Sequence, residues 1–190
     1  MGTMVDLIPV SAGLADPPPP NPADAPAGAA AICRGVCRAL AEAGYATLTE
    51  VILATGRRVD VMAIDRRGEI LVVEIKSSVA DFRADRKWQD YLEFCDRFAF
   101  AVAPDFPQAL LPDAVGLMVA DAYDATVLRE GPATRLPAAR RKHLTLRFAH
   151  VAGILQNENR SRPHLFRNPF AQYRYFADHI VPSEPRILAI

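Results

Sequence analysis

The fold is decided by residues 48–76, which read LTEVILATGRRVDVMAIDRRGEILVVEIK. Three apolar, β-branched runs (LTEVIL, RVDVMAI and EILVVEIK) are separated by short connections that contain ATG and RRG, and each connection ends in glycine. A three-residue loop whose last residue is left-handed is a favoured hairpin connection, and glycine adopts that conformation without strain. The stretch therefore predicts two tight hairpins joining three neighbouring antiparallel strands.

The two loops also predict which residues face each other. If residues 54–56 form the first loop and residues 66–68 the second, Glu50 faces Asp60 and Asp60 faces Glu74. Directly opposed residues of neighbouring strands point to the same side of a sheet. The register therefore predicts a row of carboxylates across the sheet.

Such a row needs a positive partner, because each adjacent pair of like charges at about 5 Å costs about 3 kcal/mol at an effective dielectric of about 20. Lys76 lies two residues beyond Glu74, on the same side. Carboxylate oxygens at this spacing suit a hard divalent cation, Mg²⁺ or Mn²⁺. The simpler alternative is that Arg57 and Arg58 neutralise the acids.

The remaining positions of the three strands are mostly apolar on both sides. Strict alternation puts Leu48, Ile52, Met62, Ile64, Ile70 and Val72 with the acids, and Val51, Leu53, Val59, Val61, Leu71, Val73 and Ile75 on the opposite side. A sheet that is apolar on both faces is covered by helices on both faces. The acids then lie at the margin of a buried face, where a charge needs a partner or a function.

Helical spacing of apolar residues predicts a first helix over residues 31–43, followed by Gly44 as its C-terminal cap. Ser77 and Ser78 are candidate N-caps of a second helix that we expect to run to Cys95. The other predicted elements are strands at 98–103, 116–120 and 125–128 and a helix at 138–152. The order is αβββαβ with additions, which predicts an α/β fold built on a mixed sheet.

Composition sets limits on the class of protein. The 190 residues are 51% apolar, and 22 basic residues balance 22 acidic ones, so any binding to nucleic acid must be local. No apolar run approaches the ~18 residues that cross a bilayer, and residues 1–29 have no Lys or Arg to begin a secretory signal. We therefore expect a cytoplasmic protein without a membrane partner. Cysteine and histidine spacing does not fit a zinc site.

The chain is predicted to hold one domain between two tails. Residues 1–29 are rich in Pro and Ala and predict a disordered tail, and residues 30–153 form the domain. Residues 154–190 are polar, aromatic and interrupted by proline, without a regular period, and we expect a poorly ordered extension.

Asp60, thirteen further residues and then Glu74-Ile75-Lys76 make a D…ExK pattern. Between a first helix and a capped second helix, this pattern resembles the PD-(D/E)XK nuclease superfamily. The resemblance implies a restriction-endonuclease-like αβββαβ core, with a metal-binding Asp on one strand and E-x-K on the next.

The closer resemblance is to the MmcB family of bacterial DNA repair proteins. It is carried by TEVILATGRRVDVMAIDRRGEILVVEIKSSVADFRADRKWQDYLEFCDRFAFAVAPDFP, and less distinctively by GLMVADAYDATVLRE and AARRKHLTLRFAHVAG, over about residues 32–153. The resemblance implies a nuclease-type fold and a role in repairing damaged DNA in the bacterial cytoplasm, at the nucleoid.

On the nuclease interpretation, Asp60 and Glu74 bind the metal, and the resemblance implies a further ligand in the carbonyl of Ile75. Lys76 orients the attacking water or stabilises the charge that develops on phosphorus. Glu50 is an additional acid that the register, not the resemblance, assigns to the site.

Basic residues near these strands are candidate phosphate contacts. The candidates are Arg57, Arg58, Arg83, Arg86 and Lys87. Gln89 resembles a polar helix residue that some superfamily nucleases place near the site, although an ordinary exposed position explains it equally well. Trp88 is predicted to be a core aromatic residue, not a platform for base stacking.

Three functions remain open at this point. The leading hypothesis is a metal-dependent DNA nuclease that hydrolyses phosphodiester bonds in damaged or structured DNA during repair. The second is a catalytically silent nuclease-fold module that binds DNA or acts as an adaptor for other repair proteins. The third is a structural protein with an acidic sheet and no site, which requires Lys76 to be exposed and paired away from the acids.

Overall fold

The computed structural model describes residues 27–85 and 87–161 of the chain. The helices are α1 (Ala27–Glu42), α2 (Val79–Ala84) and α3 (Ala138–Ser161), with a 3₁₀ helix at Trp88–Phe94 and a short 3₁₀ turn at Gln108–Leu110. The strands are β1 (Ala46–Ile52), β2 (Arg58–Ile64), β3 (Ile70–Lys76), β4 (Arg97–Val102), β5 (Gly116–Ala120) and β6 (Ala125–Arg129).

The six strands form one mixed sheet in the order β1-β2-β3-β4-β5-β6. Strands β1 to β3 are antiparallel, β3 to β5 are parallel, and β6 returns antiparallel to β5. Helix α1 packs on one face, whereas the 3₁₀ helix and α3 pack on the other. The predicted fold class, an αβββαβ core with a mixed sheet between helices, is confirmed.

The predicted register of the two hairpins is also confirmed. Val51 pairs with Val59 across the first hairpin, and Val61 pairs with Val73 across the second. Both loop glycines are left-handed, with φ of 78° and 79°. The loop length therefore sets the alignment of β1, β2 and β3.

Strict alternation of side chains holds along β3, where Ile70 and Val72 lie in one layer and Val73 and Ile75 in the other, but it is wrong for part of β1 and β2. The sequence predicts Val51, Leu53 and Val59 on the face opposite Leu48 and Met62, but all five belong to the same buried layer. On β1 the change lies at Glu50, whose φ of 58° turns the strand between Leu48 and Val51. A left-handed residue other than glycine interrupts the pleat on which alternation depends.

The second predicted helix is wrong beyond Ala84. Ser78 does cap it, since its Oγ accepts from the backbone N–H of Asp81 at 3.1 Å. Asp85 then leaves the helical region (φ −83°, ψ 102°), and a separate 3₁₀ helix begins at Trp88. The Asp85 side chain bonds the backbone N–H of Lys87 at 2.9 Å, which offers the chain an alternative to the helix.

Trp88 is a core residue, as predicted. Its ring stacks on Phe98 with 5.5 Å between centroids and meets the edge of Phe100 at the same distance. These contacts fasten the 3₁₀ helix to β4.

The predicted ends of the domain require correction. Helix α1 already begins at Ala27, inside the predicted tail of residues 1–29. Helix α3 continues to Ser161, because Leu155 still packs against the core, so the expected poorly ordered extension is wrong over residues 154–161. The rest of both predicted tails, residues 1–26 and 162–190, lies outside the described residues. Within the described ranges, no helix combines the length and apolar character needed to span a bilayer.

A buried acid fastens α3 to the sheet. Asp96 is 5% exposed and accepts from the backbone N–H of Ile70 at 2.8 Å and of Leu136 at 2.9 Å. The guanidinium of Arg141 on α3 contacts the same carboxylate. Burial raises the pKa of Asp96, but these bonds lower it more, so the net shift is downward.

Candidate functional site

The ladder of backbone hydrogen bonds opens where the acids lie. Thr49 pairs with Val61 and Val51 with Val59, but Glu50, between them, has no partner in the ladder. The β2–β3 ladder ends at Val61 and Val73, so it stops before Asp60 and Glu74. The register brings the three acids to neighbouring positions, but they do not form the cross-strand pairs that the sequence predicted.

A side chain replaces the backbone at this opening. Continuation of the ladder would pair the N–H of Ile75 with the carbonyl of Val59. Instead, Asp60 Oδ2 accepts from the N–H of Ile75 at 2.8 Å. Asp60 therefore holds β3 beside β2 where their main chains no longer pair.

Glu74 and Lys76 are buried at the end of β3, with 6% and 3% of their surface exposed. Lys76 Nζ lies 3.3 Å from Glu74 Oε1. Glu74 Oε2 is buried and has no hydrogen-bond partner among the described residues. An acceptor buried in this way is costly unless a further group binds it.

Burial is the main cause of the raised pKa values of Glu50, Asp60 and Glu74. Burial raises the pKa of Glu74 to about 8 and that of Glu50 to about 7, and the neighbouring charge of Asp60 raises both. Burial also raises the pKa of Asp60, against the opposing effects of its bond from Ile75 and the charge of Lys76. The positive charges of Lys76 and Arg58 therefore do not outweigh the effect of burial on the acids.

The alternative that Arg57 and Arg58 neutralise the acids holds only in part. The guanidinium of Arg58 contacts Glu50, but that of Arg57 contacts Asp90 on the 3₁₀ helix. Lys76 is buried and turned toward the acids, which removes the condition that the third hypothesis required.

The carboxylates of Glu50, Asp60 and Glu74 are chemically suited to a hard cation, although they do not form a complete coordination shell. Among residues 27–85 and 87–161, no three His, Cys, Asp or Glu side chains are grouped so that they could hold a metal ion. The unpartnered Oε2 of Glu74 and the raised pKa values of the acids nevertheless fit a missing positive charge.

The remaining predicted residues lie around the connection between α2 and the 3₁₀ helix. Arg83, Lys87 and Gln89 are exposed there, and no recorded contact joins them to the acids. Arg86 lies outside the described residues. These positions stay candidates for contact with DNA.

Sequence reasoning missed two residues beside the acids. Asp85 Oδ2 accepts from Lys76 Nζ at 2.7 Å, which is shorter than the contact of Lys76 with Glu74. Tyr91 is 8% exposed, and its hydroxyl donates to the carbonyl of Arg58 at 3.0 Å. Burial raises the pKa of Tyr91 to about 12, and the charge of Glu74 adds to this. Tyr91 carried a sequence signal only as an apolar position of a helix, and Asp85 carried none.

Comparisons with known proteins give a family. A protein of unknown function from Silicibacter pomeroyi is 48% identical with a TM-score of 0.66, and the match covers 70% of this chain and 90% of that one. A repair endonuclease from Pyrococcus abyssi is 19% identical with a TM-score of 0.30 over 50% of this chain and 42% of that one, a likeness too weak to support an argument. No curated protein matches. The model of a family described as MmcB-like DNA repair proteins matches residues 17–160, and the chain belongs to that family.

Proposed function

We propose that this protein is a metal-dependent DNA nuclease that hydrolyses phosphodiester bonds during DNA repair. The observation that carries the proposal is the buried, unpartnered Oε2 of Glu74, which lies among acids of raised pKa and beside the buried ammonium of Lys76. Groups with strongly perturbed pKa values concentrate at functional sites. Membership in a DNA repair family supports DNA as the substrate.

We assign a separate role in the reaction to each of the acids and to Lys76. Asp60 and Glu74 would hold a divalent cation, together with the carbonyl of Ile75, and Glu50 would supply an additional carboxylate. When bound, Mg²⁺ or Mn²⁺ lowers the pKa of a water molecule and offsets charge on the scissile phosphate. Lys76 would hold the attacking water or a phosphate oxygen, since its ammonium is fixed next to Glu74.

The basic residues around the acids favour binding of the phosphate backbone of DNA. Arg83 and Lys87 are exposed on the segment that follows β3, and Arg58 is exposed beside Glu50. Exposed basic side chains contact phosphates without reading the base sequence. We therefore propose that recognition depends on the shape of damaged or structured DNA.

A second candidate is an adaptor that binds DNA without cutting it. It is favoured by the absence, among the described residues, of three ligands grouped for a metal ion. In that case the acids would be a feature of the fold, and repair partners would perform the chemistry.

The test uses duplex, nicked, flapped and branched DNA, each with Mg²⁺, Mn²⁺ or EDTA. We expect cleavage with metal and none with EDTA, and a loss of about 10²-fold or more in Asp60→Ala and Lys76→Ala. The matched control is Glu42→Gln, at an exposed acid that ends α1, which should cleave as the unchanged protein does. Undiminished cleavage in both site variants would reveal a contaminant, and binding without cleavage under every metal would favour the adaptor.

A further inference from the structure

We propose that Asp85 is a positioning residue for Lys76, and that it couples the lysine to the backbone of Lys87 at the start of the 3₁₀ helix. This inference rests on the proposed function, because it assigns Lys76 a part in catalysis. Asp85 lies outside the D…ExK pattern.

The contact geometry favours Asp85 over Glu74 as the anchor of Lys76. Asp85 Oδ2 lies 2.7 Å from Nζ, whereas Glu74 Oε1 lies 3.3 Å away. The Lys76 side chain is 4% exposed and that of Asp85 is 16% exposed, so water competes little for this bond. Charge-assisted hydrogen bonds of this length are the strong ones.

Under the proposed function, Glu74 also binds the divalent cation, which weakens its attraction for the ammonium of Lys76. Asp85 then remains as the acid that holds the ammonium in place. A lysine has a long, flexible side chain, and it holds one geometry only when a partner determines where its ammonium lies.

The second oxygen of Asp85 connects this anchor to the neighbouring segment. Oδ1 accepts from the backbone N–H of Lys87 at 2.9 Å, and Lys87 itself is exposed. One carboxylate therefore fixes both the buried lysine and the backbone that carries a candidate phosphate contact. A displacement of this segment on binding DNA would be transmitted to Lys76 through Asp85.

The experiment compares Asp85→Ala and Asp85→Asn with Asp90→Ala, a matched control that removes an acid bound to Arg57 instead of Lys76. Asn offers one acceptor oxygen in place of two, so it keeps only one of the two bonds and preserves more of the local fold. Each variant is examined for acetylation of Lys76 by an amine-reactive reagent, read by mass spectrometry, and for kcat and KM on the cleaved DNA. Thermal unfolding measures the folded fraction.

We expect acetylation of Lys76 to rise about tenfold in Asp85→Ala, because a strong charge-assisted bond no longer withholds the amine. We expect kcat to fall about 10²-fold, the loss typical of a misplaced catalytic group, and KM to rise by a smaller factor, because the backbone of Lys87 loses its bond to Asp85 as well. Asp90→Ala should change neither value. If Asp85→Ala does not fold, Asp85→Asn decides by the same two readouts.

Unchanged acetylation, or increased acetylation with unchanged kcat, would overturn the positioning role. If the unchanged protein cleaves no DNA, the proposed function fails, and acetylation still shows whether Asp85 restrains Lys76. The two failures are therefore distinguishable.

Discussion

The stability of the metal-free protein should fall as pH rises, because Glu74 is more costly to ionise in the folded state. Burial and the charge of Asp60 raise its pKa from 4.5 to about 8, against the attraction of Lys76. A group whose pKa is raised on folding contributes its stability in full below the unfolded value and loses it as pH rises through the folded value. The affected window therefore runs from about pH 4.5 to about pH 8.

The size of this loss of stability follows from the pKa shift of Glu74. One pKa unit corresponds to about 1.4 kcal/mol, so Glu74 alone should lower the free energy of unfolding by about 3 kcal/mol between about pH 5 and about pH 8. Glu50, whose pKa is raised to about 7, acts in the same direction. Asp85 and Asp96 have lowered pKa values, so their contributions are complete before this window begins.

The perturbation is Glu74→Gln, which keeps the size of the side chain and removes its charge. The assay is urea unfolding in EDTA, followed by the fluorescence of the single tryptophan, Trp88. Near pH 8 the variant should be more stable than the unchanged protein by about 4 kcal/mol, and near pH 5 the difference should shrink to about 1 kcal/mol. Asp105→Asn is the control, and it should follow the unchanged protein at both pH values.

A variant less stable than the unchanged protein near pH 8 would refute this reasoning. It would mean that the attraction between Glu74 and Lys76 outweighs burial, and that the acids need no further positive charge. A stability that does not change with pH in the unchanged protein would contradict the raised pKa values directly.

Three further predictions concern the fold and can be checked by urea unfolding. Glu50→Gly should stabilise the metal-free protein by about 1 kcal/mol or more, because it relieves a left-handed backbone and removes a buried charge; a loss of stability would show that Glu50 is not strained. Asp96→Ala should destabilise by about 3–5 kcal/mol, since it leaves Arg141 without its buried partner, and an effect below about 1 kcal/mol would contradict the anchoring role. Gly35→Ala should destabilise by about 1–3 kcal/mol, because a Cβ there would lie 2.3 Å from the backbone oxygen of Asp121; unchanged stability would mean that this close approach is absent.

The sequence predicts the hairpins well because their determinants are local. Two glycines at the ends of three-residue loops fix the turns, and loop length then fixes the pairing of β1, β2 and β3. The D…ExK pattern could be placed at one site on that basis alone. The same local determinants predict that Asp60, Glu74 and Lys76 lie at neighbouring positions of β2 and β3.

The opening of the sheet at these residues could not be predicted from the sequence. Glu50 is left-handed although nothing in its residue type favours that conformation, so tertiary packing imposes it. Because β1 turns at Glu50, Val51 and Leu53 lie in the layer opposite the one that alternation predicts. The same turn takes Glu50 out of the ladder.

The end of helix α2 at Asp85 could not be predicted from the sequence either. Helical period continues from Ala84 to Tyr91 in the sequence, yet the helix ends because Asp85 bonds Lys87 and the buried Lys76. The partner of Asp85 lies on β3, so the break depends on a tertiary contact. Residue patterns within one segment do not contain that information.

We propose that the acids at the β2–β3 opening bind a divalent cation for phosphodiester hydrolysis. The most direct measurement is the anomalous diffraction of a crystal soaked with Mn²⁺. We predict one strong peak bonded to Asp60, Glu74 and the carbonyl of Ile75 at about 2.0–2.3 Å, absent from crystals of Glu74→Gln. Ordered density for these side chains at saturating Mn²⁺ with no peak between them would contradict the account.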